Sequence, residues 1–188
     1  MINSTRELSG LSGSFEDVKQ LMERAFPEHE QMPFFLLRLM ALRNGISFRA
    51  YYENGLLAGF TYTEETARTM FLLFLAVREE MRGKGYGSAI LDDLKRRASK
   101  KCIVLNIEPA ADDVPDAVER KNRLAFYRWN GFEDTGWKIR DKNDTYQILA
   151  HPFLSSSAFD VQDYRKAVGR LTFGMYQPYV FRDRPAGS

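Results

Sequence analysis

A glycine-rich, cationic segment follows a run of apolar residues and is the part of the chain best suited to chemistry. Arg82 and Lys84 alternate with Gly83, Gly85 and Gly87, shortly after Leu75-Ala76-Val77. The first turn of a helix leaves up to four backbone N–H groups without partners and carries roughly half a positive charge. Glycines let a bulky anion approach such amides closely, and the two cations add formal charge. The pattern is typical of a phosphate or pyrophosphate site.

The spacing excludes two common nucleotide-binding loops. The P-loop requires Gly-x-x-x-x-Gly-Lys-Ser/Thr, and Gly83-Lys84-Gly85 lacks both the spacing and the hydroxyl. The dinucleotide-binding loop requires Gly-x-Gly-x-x-Gly, and the third glycine is missing here. What remains is Arg82-x-x-Gly85-x-Gly87 after a predicted strand. The alternative interpretation is a tight strand-to-helix connection without a ligand.

Two motifs resemble the GNAT superfamily of N-acetyltransferases. The run from Arg82 to Gly87 matches the Arg/Gln-x-x-Gly-x-Gly/Ala loop that the superfamily carries after its fourth strand. Tyr127 is followed four residues later by Gly131-Phe132, as in a second superfamily motif. The order of predicted elements from residue 2 to about residue 150 is similar as well. On these residues the sequence is identified as a member of that superfamily.

The resemblance implies a site for acetyl-CoA, the acetyl donor. The backbone of residues 75–77 is expected to pair with the pantetheine arm, and the amides of residues 83–88 to hold the pyrophosphate. The strand after the loop helix is expected to splay away from Thr69–Val77, which opens a space for the thioester. The implied cofactor-binding residues are Leu75, Ala76, Val77, Arg82, Gly83, Lys84, Gly85, Tyr86, Gly87 and Ser88.

Acetyl transfer to an amine needs a proton donor for the leaving thiolate and a neutral nucleophile. By the resemblance, Tyr127 lies near the thioester sulfur, where a phenol can supply the proton. The alternative is a tyrosine that only packs its ring on the sheet. A lysine-like amine is mostly charged at pH 7, which costs about 4.6 kcal/mol and favours a base. Glu108 follows a predicted strand and is the candidate base, unless it only marks the strand exit.

Two positions depart from the superfamily pattern. Many members carry Asn seven residues before the tyrosine and Ala four residues before it, whereas this chain has Arg120 and Arg123. Asn122 is out of register, so the asparagine's role is not carried over to it. The basic run either brings charge to the nucleotide end of CoA or is a solvated helix start.

Composition and charge limit the class of protein. The chain has 188 residues, 44% hydrophobic and 28% charged, which is an ordinary globular mixture. One cysteine excludes an internal disulfide framework, and neither histidine has metal-ligand spacing, so no metal is expected. A net charge of +2 argues against a dedicated nucleic-acid binder. The longest apolar run, residues 70–77, is far shorter than the ~20 residues of a membrane helix. These features predict a cytoplasmic protein with no membrane or nucleic-acid partner.

Apolar periodicity predicts the elements that position these residues. We expect strands at 2–8, Ile46–Glu53, 56–63, Thr69–Val77, Cys102–Ile107, 132–140 and 145–150. Helices are expected near 15–26, 34–42, 85–99 and 159–168, and a further helix is expected to run through Tyr127 and to stop near Gly131. Asn54-Gly55 marks a hairpin, and the continuously apolar run Thr69–Val77 indicates a strand covered on both faces. The predicted class is α/β (α+β), a mixed, mostly antiparallel sheet with splayed central strands and helices on both faces.

The predicted organisation is a GNAT acetyltransferase domain at residues 1–151 and an aromatic-rich C-terminal extension at 152–188. An extension this apolar covers the sheet, caps the acceptor site or forms a homodimer contact. The predicted activity is acetyl-CoA-dependent N-acetylation of a primary amine of a small molecule or peptide, by direct attack in a ternary complex. The alternative is a non-catalytic acyl-CoA-binding or regulatory module, and the presence of Tyr127 favours the enzyme.

Overall fold

A computed structural model describes residues 2–9, 15–141, 144–152, 159–171 and 179–182. The strands are β1 (Ser4–Glu7), β2 (Ile46–Glu53), β3 (Leu56–Glu65), β4 (Thr69–Val77), β5 (Cys102–Ile107), β6 (Glu133–Asp141), β7 (Asp144–His151) and β8 (Tyr179–Arg182). The helices are α1 (Glu16–Ala25), α2 (Phe34–Met40), α3 (Tyr86–Ala98), α4 (Ala117–Trp129) and α5 (Val161–Leu171). The chain divides into two compact units, residues 1–65 with 72–97 and residues 66–71 with 98–188.

The first unit contains an antiparallel sheet with helices on both faces. β2 pairs with β1 and with β3, and the β2–β3 turn has positive φ at both Asn54 and Gly55, as a two-residue type I′ hairpin requires. Alternate residues of β2 contact different helices, since successive side chains of a strand point to opposite faces. The Phe48 ring meets the α2 residue Phe34 at 5.6 Å, whereas the Tyr51 hydroxyl donates to Asp93 of α3 at 3.1 Å.

Aromatic packing forms the core of this unit. Phe48, Phe60 and Tyr62 are fully buried, and the Phe48 ring lies 5.7 Å from Phe60 and 5.3 Å from Tyr62. Phe26, at the end of α1, contacts Phe74 of β4 at 4.8 Å. Burying each such side chain stabilises the fold by roughly 1.5–3 kcal/mol. These contacts fix the strand from which the glycine-rich segment emerges.

The second unit contains antiparallel strands in the order β5-β7-β6-β8. α4 packs against β5. A hydrogen bond joins α5 to the same strand: the side-chain amide of Asn106 in β5 donates to the Tyr164 hydroxyl of α5 at 2.8 Å. The Tyr164 ring also meets Phe71 edge-on at 5.5 Å. β8 pairs with β6, with Val180 opposite Ile139. The described parts of residues 152–188 therefore pack within this unit.

The predicted mixed α/β class with a mostly antiparallel sheet is confirmed, and β4 and β5 have the expected bounds. One expectation is wrong: β4 is not covered on both faces along its whole length. Leu73, Leu75 and Val77 are half-buried, whereas Phe74 and Ala76, which alternate with them, are buried. β8 was not expected, because its residues lie in an aromatic run without strand alternation. The splay of the central strands and the domain boundary after residue 151 stay predictions.

None of the described helices is long and apolar enough to cross a membrane. Among the described residues, no group of three His, Cys, Asp or Glu side chains could hold a metal ion. Cys102 is buried, and burial raises the pKa of its thiol to about 11. It therefore packs as a neutral thiol in this unit rather than serving as a nucleophile.

Candidate active site

The segment between β4 and the first turn of α3, residues 78–88, is called here the glycine-rich loop. It begins with a 3₁₀ turn at Glu79–Met81 and has left-handed backbone at Gly83 (φ +71°) and Gly85 (φ +85°). Glycine adopts this conformation without steric cost. Among the described residues, and apart from each glycine and its two chain neighbours, no heavy atom lies within 4 Å of a Cβ built on either glycine. The surface of the loop is therefore open at both positions.

The loop ends at the N-terminus of α3, where backbone amides are available. α3 begins at Tyr86, and the Ala89 N–H donates to the Gly85 carbonyl at 3.0 Å. Helix geometry leaves the preceding N–H groups, those of Tyr86, Gly87 and Ser88, without intrahelical acceptors. The helix dipole adds partial positive charge at the same place. Three of the amides predicted to bind pyrophosphate thus come together at one helix terminus.

Arg82 and Lys84, two of the cations of the loop, donate hydrogen bonds to nearby backbone carbonyls. Arg82 Nε donates to the Val77 carbonyl at 3.3 Å, and Lys84 Nζ donates to the Glu80 carbonyl at 2.8 Å. Both side chains are exposed. These bonds keep positive charge beside the α3 terminus, where it attracts an anion.

The end of β4 presents an apolar surface next to the loop. Leu75 and Val77 share one half-buried face of the strand, and Ala76 is buried on the other. The three residues predicted to meet the pantetheine arm therefore lead directly into the loop. This half-buried apolar face is better suited to contact the uncharged arm of a long ligand than to contact water.

Gly59 of β3 supports this part of β4, and sequence reasoning missed it. A Cβ at Gly59 would lie 2.3 Å from the Ala76 carbonyl oxygen and 3.0 Å from Ile90 Cδ1. Only glycine permits this approach of two strands and α3. The available signal was a lone glycine inside an apolar strand, which indicates close backbone approach.

We expect Gly59→Ala to displace the Ala76 carbonyl and to destabilise the protein by roughly 1–3 kcal/mol, the usual cost of overpacking. Affinity for a ligand that pairs with β4 should fall as well. Equilibrium unfolding and ligand titration measure the two effects. Gly169→Ala in α5 is the matched control, because no described heavy atom lies within 4 Å of its Cβ position. Equal stability of Gly59→Ala and the parent would contradict the close approach.

Tyr127 lies in the last turn of α4 and is only 8% exposed. Its ring packs against Phe126 and Phe132, with centroids 5.1 and 5.6 Å away. Burial raises the pKa of its hydroxyl to about 12, although Arg123 acts in the opposite direction. The phenol is therefore protonated throughout the physiological pH range.

The Tyr-x-x-x-Gly-Phe motif has a structural basis at the end of α4. Gly131 has φ +82°, and the Phe132 N–H donates to the Tyr127 carbonyl at 3.0 Å. A left-handed glycine after a helix satisfies the last carbonyls in this way. The motif thus fixes where the helix ends and how the Tyr127 ring packs.

Glu108, the candidate base, is held by the two arginines that depart from the superfamily pattern. Its carboxylate oxygens accept hydrogen bonds from Arg120 at 2.7 Å and Arg123 at 3.0 Å. Arg120 also donates to Asp116 at 2.9 Å. Arg120 and Arg123 therefore join α4 to the end of β5, while residues 121–123 of the basic run are exposed. Sequence reasoning did not pair the two arginines with Glu108.

A comparison with protein families matches the segment that contains both the glycine-rich loop and Tyr127. Residues 43–134, which include both, match the family model of the acetyltransferase (GNAT) domain. No curated protein sequence matches the chain.

Solved structures share the fold at low sequence identity. A Bacteroides thetaiotaomicron protein assigned to the GNAT family is 20% identical, with a TM-score of 0.67 over 86% of this chain and 93% of its own. A GNAT acetyltransferase of Elizabethkingia anophelis with acetyl-CoA bound is 14% identical, with a TM-score of 0.57 over 80% and 97%. An aminoglycoside 6'-N-acetyltransferase of Enterococcus faecium is 14% identical, with a TM-score of 0.57 over 81% and 98%. Residues 43–134 thus match an acetyltransferase (GNAT) domain, and the solved structures show that the chain shares the fold of GNAT acetyltransferases.

Proposed function

We propose that the protein is an acetyl-CoA-dependent N-acetyltransferase that acts on a primary amine of a small molecule or peptide. The glycine-rich loop is the observation that carries the proposal. It combines open space at two left-handed glycines, three amides at a helix terminus and two nearby cations. The half-buried apolar face of β4 adjoins it, as a ligand with a pyrophosphate and an uncharged arm requires.

The donor-binding roles follow the chemistry of each group. The amides of Tyr86, Gly87 and Ser88 would hold the pyrophosphate, supported by the charge of Arg82 and Lys84. The backbone of residues 75–77 would pair with the amide groups of the pantetheine arm, as an added strand does. Acetyl-CoA, when bound, supplies an activated acetyl group as a thioester.

Tyr127 is proposed as the acid that assists departure of the thiolate, a role that rests on the superfamily resemblance. With a pKa of about 12, its proton is retained at working pH. Full transfer to a thiolate of ordinary pKa, about 8.5, is uphill by roughly 5 kcal/mol. Tyr127 therefore acts mainly as a hydrogen-bond donor to the developing negative charge, and the thiolate takes its final proton from solvent or from the acceptor amine.

Glu108 is proposed as the base that accepts a proton from the acceptor's ammonium group, directly or through water, and so leaves a neutral amine to attack the thioester. A proton that it takes removes the negative charge, which weakens both of its charge-assisted bonds to the arginines. The cluster of Glu108, Arg120 and Arg123 thus couples proton uptake to the contact between α4 and β5.

We expect Glu108→Gln to lower the rate at least tenfold at low pH, where neutral amine is scarce, and little at high pH, where the amine needs no base. The acid limb of the pH–rate profile should move to higher pH. Asp116→Asn is the control, because it removes the negative charge from the other partner of Arg120 and leaves the Glu108 carboxylate in place. A profile that overlays the parent's would assign Glu108 to the ion pairs alone.

The activity is tested by measuring thiol release from acetyl-CoA across a panel of primary amines, with identification of the N-acetyl product. Amine-dependent release without a burst of acetylated protein supports direct transfer in a ternary complex. Binding of CoA without release for any amine would favour the non-catalytic acyl-CoA-binding module instead. The acceptor, a homodimer and a cytoplasmic location stay predictions.

A further inference from the structure

β2 holds α3 through three polar bonds spread along the helix. The Tyr86 hydroxyl donates to the Glu53 carboxylate at the first residue of α3, the Tyr51 hydroxyl donates to Asp93 further along, and Arg97 in the last turn donates to Ser47 at 2.9 Å. Glu53, Tyr51 and Ser47 are odd-numbered residues of one strand. The sheet therefore orients α3 along its length.

The first of these bonds lies at the glycine-rich loop. Tyr86 stands between Gly85, which has left-handed backbone, and Gly87, and Glu53 ends β2 immediately before the hairpin turn. Glycines on both sides allow the first helical turn to pivot. The bonds of Arg82 and Lys84 described above run to carbonyls of residues 77–80 and do not reach β2. The Tyr86 hydroxyl thus joins this turn to β2.

We propose that Tyr86 and Glu53 are positioning residues of the donor site, which aim the amides of Tyr86, Gly87 and Ser88 at the pyrophosphate; this rests on the proposed function. The superfamily motif leaves the position of Tyr86 unspecified. A hydrogen bond to a carboxylate is stronger than one between neutral groups. Amides that are already oriented lose less freedom when the ligand binds, and this raises affinity.

The test is calorimetric titration with CoA of the parent, Tyr86→Phe and Glu53→Gln. Removing the hydroxyl should weaken CoA binding about tenfold, and Glu53→Gln, which keeps an acceptor oxygen, should weaken it less. Tyr51→Phe is the matched control: it removes a buried hydroxyl from the same strand-to-helix contact, and its dissociation constant should stay within about twofold of the parent's.

The stoichiometry separates positioning from damage to the fold. A variant that is merely destabilised binds fewer equivalents of CoA at an unchanged dissociation constant. Positioning keeps one equivalent and raises the dissociation constant, and it raises the KM for acetyl-CoA while kcat stays unchanged. If Tyr86→Phe binds CoA as tightly as the parent, or if Tyr51→Phe loses as much affinity, the inference is overturned. If the parent itself does not bind CoA, the proposed function fails first.

Should Tyr86→Phe not fold, Glu53→Gln decides the question by the same criteria. An unchanged dissociation constant for that variant, with one equivalent bound, overturns the inference. A weaker constant at one equivalent supports it.

Discussion

Gly85→Glu is expected to weaken CoA binding more than 100-fold while the protein stays folded. The substitution introduces a carboxylate into the proposed pyrophosphate site. Two like charges 4 Å apart repel by about 1 kcal/mol in bulk water and about 4 kcal/mol at an effective dielectric of 20. At the effective dielectric of 20, which is typical of pairs near a protein surface, this repulsion exceeds the ~2.8 kcal/mol that corresponds to 100-fold in affinity.

The backbone accounts for only part of this effect. At φ +85° any side chain carries a left-handed penalty of roughly 1–2 kcal/mol, but no described heavy atom lies within 4 Å of the new Cβ. Gly85→Ala carries the same penalty without charge and should retain most of the affinity. Gly136→Glu is a second control, because Gly136 in β6 has φ +70° and is equally open. It introduces the same backbone strain and the same negative charge at a position outside the loop. CoA affinity equal to the parent's in Gly85→Glu would remove the loop from the donor site.

Tyr127→Phe is expected to lower kcat by roughly 10- to 100-fold while the dissociation constant for CoA changes less than about twofold. The missing hydroxyl would otherwise donate to a charged leaving group, and such bonds contribute about 1.5–3 kcal/mol. The ring contacts with Phe126 and Phe132 remain, so the fold should be preserved. Steady-state kinetics at saturating acetyl-CoA and amine measures the effect.

The pH dependence of the parent follows from the raised pKa of Tyr127. Because this pKa is about 12 rather than 10, the active, protonated phenol persists as pH rises, and its loss begins only near pH 11. No decline of kcat between pH 8 and pH 10 should therefore come from Tyr127.

Tyr62→Phe is the control for Tyr127→Phe, because it also removes a buried hydroxyl, one that donates to the Leu37 carbonyl. Equal losses of kcat in Tyr62→Phe and Tyr127→Phe would assign Tyr127 to packing.

Local signals in the sequence predict much of the fold and the loop. The hairpin at Asn54-Gly55, the bounds of β4 and β5, and the helix after Gly85 depend on residues adjacent in the chain. The alternating glycines and cations could likewise be interpreted without tertiary contacts, because a helix terminus supplies its amides wherever it forms.

Contacts between distant residues were beyond sequence reasoning. The Tyr86 hydroxyl bonds to Glu53, which lies 33 residues away in the sequence. Glu108 bonds to Arg120 and Arg123 only in the folded protein, where α4 packs against β5. The open face of β4 was also missed, since an apolar run does not reveal which of its alternate residues remain uncovered. β8 forms by pairing with the edge of β6, and the residues of β8 alone do not indicate that this partner strand is present.

Calorimetric titration of the purified protein with acetyl-CoA, free CoA and ATP tests the central claim most directly. We expect one site that binds acetyl-CoA and CoA but not ATP, because the glycine-rich loop lacks P-loop spacing and adjoins an apolar strand face that suits the pantetheine arm. Binding of ATP with similar affinity, or no binding of acetyl-CoA or CoA, would contradict the assignment of this loop as the acetyl-donor site.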